Sequence, residues 1–170
     1  MKNLVLTTIV ACAAMTSCST VQSLVQNSFP YSTTVVVPSG TTANTTMTTV
    51  SPASSFSQLF GSTTAQNFRV VNATISLSDS NSASLGLFKS VKVYLSSNSG
   101  GEVLVASRTD LGDNIGNSLT LDVANSGTLD NLVKSGSLKM KVVYVLKQSP
   151  SQDLSLKTSL NFNSQPASAQ

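Results

Sequence analysis

The sequence predicts an all-β protein: an antiparallel two-sheet sandwich of about eight strands with two short capping helices. Three observations carry this. Apolar residues recur with a period of two, the signature of strands with one buried face. Ser and Thr make up about three residues in ten while only 10% are charged, a mixture that suits β-branched strand faces and polar turns. The strands are short, and no helical crossover separates them, which favours a sandwich over a parallel α/β fold. A closed barrel is the alternative. A membrane-spanning barrel is disfavoured, because the outward positions carry Lys, Ser and Asn.

Residues 1–17 read as a secretory leader. Lys2 gives the positive start, Leu4 to Met15 form the apolar stretch, and small Thr16 and Ser17 follow. The stretch is shorter than the roughly 20 residues of a membrane-spanning helix. It ends on Met15-Thr16-Ser17-Cys18, and here the chain resembles bacterial lipoprotein precursors, whose lipobox is a large aliphatic residue, two small residues and Cys. The resemblance covers about the first 19 residues. It implies that Cys18 is the first mature residue, bearing diacylglycerol on its thiol and a further acyl chain, such as palmitate, on its amino group. Ile9-Val10-Ala11-Cys12 is a second box and the better local match, but it leaves only about seven apolar residues ahead of it, so Cys18 is preferred. Cutting by ordinary signal peptidase is the other alternative. Two or more acyl chains anchor stably without a span. Ser19, rather than Asp, after the Cys points in that family to the outer membrane of a Gram-negative bacterium; the side that the domain faces is not fixed by the sequence.

Residues 18–30 are expected to form the lipidated Cys and a flexible tether, 31–163 the sandwich, and 164–170 a disordered tail. With both cysteines in or beside the leader, the domain is expected to need no disulfide. Strands are expected at Ser32–Val37, Thr45–Val50, Phe68–Ser78, Phe88–Ser96, Val103–Thr109 and Ser118–Ala124, separated by the turns DSNSAS, SNSGG and DLGDNIGN. The first helix is expected over SPASSFSQLFG, capped by Ser51 and stopped at Gly61, with Phe56, Leu59 and Phe60 on one face. The second is expected over TLDNLVKSG, capped by Thr128 and stopped at Gly136, with Leu129, Leu132 and Val133 inward. The last two strands have the clearest alternation. Leu138, Met140, Val142, Tyr144 and Leu146 face inward on one, and Leu154, Leu156, Thr158, Leu160 and Phe162 on the other. With Gln148 to Gln152 between them, they are expected to pair as a hairpin.

The chemistry expected from this composition is narrow. No His is present, which removes Ser-His-Asp and Cys-His arrangements and His-ligated zinc. G-x-S-x-G, S-x-x-K and phosphate-loop patterns do not occur. Only a dyad from distant residues, a Ser near Lys92 or Lys157, is left open. The acids fall mostly in turns rather than in facing pairs. No catalytic residue and no cofactor is therefore assigned.

Asp110, Asp113 and Asn114 are the nearest approach to a calcium loop, without the alternating acids and distal Glu that calcium sites use, so a plain turn is the preferred reading. Tyr94, on the face opposite Val91, Val93 and Leu95, is a candidate ligand contact. Lys139, Lys141, Lys147 and Lys157 are expected side by side on adjacent strands; Lys139, Lys141 and Lys157 are candidates for anionic glycan, against the plainer reading of edge-protecting charges.

The net charge is +3, or +2 without Lys2, too small to indicate nucleic acid. The expected partners are the membrane through the anchor and an unknown protein or glycan; the sequence does not set an oligomeric state. The expected function is a non-enzymatic, lipid-anchored envelope protein. A binding module for a glycan or apolar ligand and an adhesin or pilus-like subunit are the alternatives.

Overall fold

The computed structural model describes residues 27–55, 65–78, 84–98, 101–124 and 127–165. In chain order the strands are β1 (Asn27–Val37), β2 (Thr46–Val50), β3 (Ser54–Ser55), β4 (Gln66–Leu77), β5 (Phe88–Ser97), β6 (Glu102–Thr109), β7 (Ser118–Thr120), β8 (Asp122–Val123), β9 (Ser137–Leu146) and β10 (Leu154–Gln165). Among the described residues a 3-10 turn, Leu85–Leu87, precedes β5, and a short helix, α1 (Asp130–Val133), precedes β9. The strands form two antiparallel sheets. One is four-stranded, in the order β1-β10-β4-β7; the other runs β2-β9-β5-β6-β8, with β3 also on β9. The all-β, two-sheet sandwich is thus the fold of this chain.

The alternation in the sequence places the core. All five inward residues of β9 are buried, from Leu138 to Leu146, as are Leu154, Leu156, Thr158, Leu160 and Phe162 of β10. They meet Val91, Val93 and Leu95 of β5 and Ala73, Ile75 and Leu77 of β4 in one cluster. Each buried Leu or Ile contributes about 1.5–3 kcal/mol relative to leaving it exposed.

The pairing of β9 with β10 is where the sequence expectation fails. The two strands lie in different sheets: β9 pairs with β2, β3 and β5, and β10 with β1 and β4. A period of two is the same whether the next strand pairs alongside or crosses over, because both arrangements bury one face. Here the connection crosses. Pro150 is buried, its carbonyl accepts from Gly40 N–H at 3.0 Å, and the Asp153 carboxylate accepts from Ser39 N–H at 2.7 Å. The arch is fastened to the loop that carries the chain from β1 to β2.

Other boundaries move too. β1 begins at Asn27, so residues 27–30 belong to the sheet rather than to a tether, and Phe29 is packed on the core. β10 runs to Gln165 with Ser164 2% exposed, so the tail does not begin at Ser164. The strand expected over 118–124 is shared between the sheets: β7 pairs with β4, β8 with β6, and buried Leu121 marks the crossing, its N–H bonded to Ala73 O at 2.8 Å.

Both helix caps differ from expectation. Ser54 and Ser55 are strand, and Ser51 serves β9 rather than a helix; Phe56, Leu59, Phe60 and Gly61 lie outside the described residues. Leu129, not Thr128, is the cap residue of α1 and makes no side-chain cap bond. Leu129, Leu132 and Val133 are buried as expected, and Gly136 ends the segment at φ 96°.

Candidate binding face

The outward surface of the β9-β5-β6 sheet is built by register. Lys141 is opposite Tyr94, and Tyr94 is opposite Leu104; Lys139 is opposite Ser96, and Ser96 opposite Glu102; Val143 is opposite Lys92, and Lys92 opposite Ser107. Tyr94 and Leu104 meet because β6 carries a bulge. The register slips between Val93 and Tyr94, so Val105 and the adjacent Ala106 both turn inward, and the alternation beyond them reverses.

The patch is organised around one cation. The Lys141 ammonium bonds Glu102 at 2.5 Å and lies 4.8 Å from the Tyr94 ring centroid. A half-exposed pair of this kind contributes about 0.2–1 kcal/mol, and the ring contact about as much again. Tyr94 is therefore outward, as the sequence indicated, and half-buried by its neighbours. Glu102 and Leu104 were not legible as part of the patch, because the bulge that delivers them has no signature beyond the unbroken apolar run Val103-Leu104-Val105-Ala106.

The four lysines do not form one row. Lys139 and Lys141 share this face, but Lys157 is on β10, in the other sheet, beside Thr34 and Ser76. Lys147, at the end of β9, is turned to the loop after β6, where it donates to Leu111 O and Asp113 Oδ1, each at 2.5 Å. That hydrogen bond and the charge of Lys147 hold the Asp113 carboxyl below the usual carboxylate range. Asp113 is thus committed to an ammonium; Asp110, at φ 55°, and Asn114 are exposed in the same loop. Among the described residues no group of three or more His, Cys, Asp or Glu is gathered as a metal site requires.

The open serine–lysine question resolves into two neighbouring pairs. Lys92 faces Ser107 and Lys157 faces Ser76 across their strands. Both lysines are exposed, whereas a lysine base is made by desolvation in an apolar pocket. Cys18 lies outside the described residues. Among the described residues no helix is long and apolar enough to cross a membrane.

The opposite face of the sandwich is chemically different. Ser32, Ser159, Thr74 and Thr120 form one cross-strand row, and Thr34, Lys157, Ser76 and Ser118 the next. It is a hydroxyl surface with isolated cations.

The fold and faces define an all-β, two-sheet sandwich with polar outer surfaces. No protein-family model matches the chain, and no curated protein does. Among solved structures, the crystal structure of FLHE is similar over 83% of this chain and 97% of that one, at 11% identity and a TM-score of 0.40. Likeness at that level assigns no function.

Proposed function

We propose that this chain is a lipid-anchored protein of the bacterial cell envelope, at the outer membrane, that acts without catalysis by presenting its sandwich to a protein partner or to the envelope itself. The observation that carries the reading is Met15-Thr16-Ser17-Cys18 closing an apolar stretch, with the first strand beginning at Asn27. Residues 19–26 reach at most about 29 Å when extended, so a domain anchored at Cys18 is held close to the bilayer surface. The missing His and the exposed lysines support a binding role over a catalytic one.

Cys18→Ser tests the anchor. The wild-type chain is expected to take up labelled fatty acid and to sediment with membranes, and the variant to do neither. A variant that still carries label at the outer membrane overturns the reading, and label moved by Cys12→Ser instead relocates the anchor to the second box.

One observation favours a second reading, binding of an anionic glycan: Tyr94, Lys141 and Lys139 on one face. In titration with lipopolysaccharide, Lys139→Glu is expected to weaken binding about tenfold if this face is used, and Lys157→Glu to have no effect.

A further inference from the structure

The two flanks of the sandwich are finished differently. At one, the strands are stubs: β7 has three residues and β8 two, and the same segment joins both sheets through Leu121. At the other, β2 has five residues, while β1 runs for 11 with β10 on one side and, among the described residues, no strand on the other. An exposed edge is a template for pairing, and proteins blunt it by shortness, charge, Pro or cover. Pro30 and Pro38 bracket the segment Tyr31-Ser32-Thr33-Thr34-Val35-Val36-Val37, which contains no charge, no Pro and no Gly. Thr and Val fill its last five positions, and these residues favour strand pairing.

We propose that the Tyr31–Val37 edge pairs antiparallel with the same edge of a second copy of this chain, about a two-fold axis at Thr34. The two four-stranded sheets then become one continuous sheet. The period of two places the axis on a residue rather than between two, and Thr34, midway between Pro30 and Pro38, pairs the segment over its whole length. Centred on Thr34, Tyr31 faces Val37 and Thr33 faces Val35 on the core side; Ser32 faces Val36 and Thr34 faces its own copy on the outer side. A slip of one residue would set core side chains against outward ones. Aromatic–β-branched and Thr–Thr pairs are favourable cross-strand neighbours, here Tyr31 with Val37 and Thr34 with its copy, and Val36, 51% exposed in the single chain, comes to lie opposite Ser32.

Charge selects the occupant. A segment without charge offers a charged partner strand nothing to pair with, and it does not repel itself. The nearest cation on this face, Lys157, is opposite Thr34 and one strand in from the edge. In the pair, the two Lys157 side chains are three strand spacings apart, about 14 Å, beyond a screening length of about 8 Å. A two-fold contact uses the same edge on both copies, so the association through this edge closes at two copies rather than growing into a fibre. The pairing uses nothing from the leader and stands apart from the anchoring proposal.

The test uses the full chain in mild detergent, with sedimentation and oxidative crosslinking as readouts. Wild type is expected to be a dimer, and Thr34→Cys to give a disulfide joining position 34 of two chains, identified by peptide mass. Thr34→Lys places two ammonium groups at the axis and is expected to weaken the dimer by at least about tenfold, with Thr34→Val remaining dimeric. Val36→Lys is the second charged variant, and far-UV circular dichroism shows that each has folded. A wild type that is monomeric at all concentrations overturns the proposal, as does a folded Thr34→Lys or Val36→Lys that remains fully dimeric. A Thr34→Cys bond to Cys12 or Cys18 of the same chain overturns it in favour of the chain's own leading segment. A bond to a different protein overturns it in favour of a heterologous partner.

Discussion

Ser51 stands where β2 breaks off, and the residue after it is Pro52, which has no N–H to offer. The backbone of Ser51 still donates to Met140 O at 2.8 Å, and its hydroxyl accepts from Met140 N–H at 2.9 Å while donating to Pro52 O at the same distance. The side chain keeps a buried strand N–H satisfied across the gap between β2 and β3. Ser51→Ala is therefore expected to cost about 1–3 kcal/mol in urea unfolding, the desolvation penalty of an orphaned donor. Gly86 answers to a different constraint. A Cβ there would be 2.0 Å from the carbonyl oxygen of Asp113, which is backbone and cannot swing away. Gly86→Ala is expected to destabilise by about 1–3 kcal/mol, because the 111–117 loop must lift from the 3-10 turn. Two acids add a pH dependence. Asp113 is held below the usual range by Lys147, and Asp153 by its hydrogen bond from the Ser39 backbone. A depressed carboxyl binds fewer protons in the native state than in the unfolded one, so its contribution is present above about pH 4 and lost as pH falls through the folded value. In acid titrations of stability, Asp113→Asn and Asp153→Asn are each expected to flatten the limb below pH 4. An unchanged slope would mean that these contacts do not persist in solution.

At the scale of elements, strands were legible where alternation was long, and their partners were not. Nothing in Ser137–Leu146 or Leu154–Phe162 records which sheet a strand joins; that is decided by the buried Pro150 arch and its bonds to residues 39 and 40. The same loss moved Lys157 away from Lys139 and Lys141, so the expected cationic row was never one surface. β4 is more instructive. Phe68 is buried and Val70 partly so, and then Ala73, Ile75 and Leu77 are buried on the opposite parity. The pairing with β10 slips between Asn161 and Phe162, which leaves Val71 54% exposed and resets the face. That parity change is written in the sequence. The device that fixes the start of the strand is not. The Asp130 carboxylate, at the head of α1, accepts from Asn67 N–H at 2.9 Å and Phe68 N–H at 2.8 Å, more than sixty residues away in the chain. Asn67 sits at φ 59°, which Asn tolerates better than most residues. Asp130→Ala is expected to cost about 1–3 kcal/mol and to raise amide exchange first at Asn67 and Phe68. Equal exchange throughout β4 would show that α1 does not pin it.

For the whole molecule, the order of the first sheet sets a condition on folding. β10 lies between β1 and β4, and its pairs with β1 run from Asn27 opposite Ser164 to Val37 opposite Leu154. An inner strand of this sheet is thus made after every other described strand, and β1 has no partner in the sheet until it arrives. Contacts so distant in sequence impose a loop-closure cost before they return any stabilisation, so refolding on the scale of milliseconds to seconds is expected rather than microseconds. The second sheet has no such dependence: β5, β6 and β9 are complete by Leu146, yet their inner face, including Val91, Val93, Met140 and Val142, is covered only when β10 and its partners arrive. A chain ending at Asp153 therefore retains a sheet with one apolar face uncovered and two strands with no common neighbour. It is expected to lose the cooperative unfolding transition and to bind a hydrophobic dye. If the chain ending at Asp153 unfolds cooperatively with the full-length urea slope, the surface that β10 buries is not what closes the core, and the sandwich is two independently stable halves.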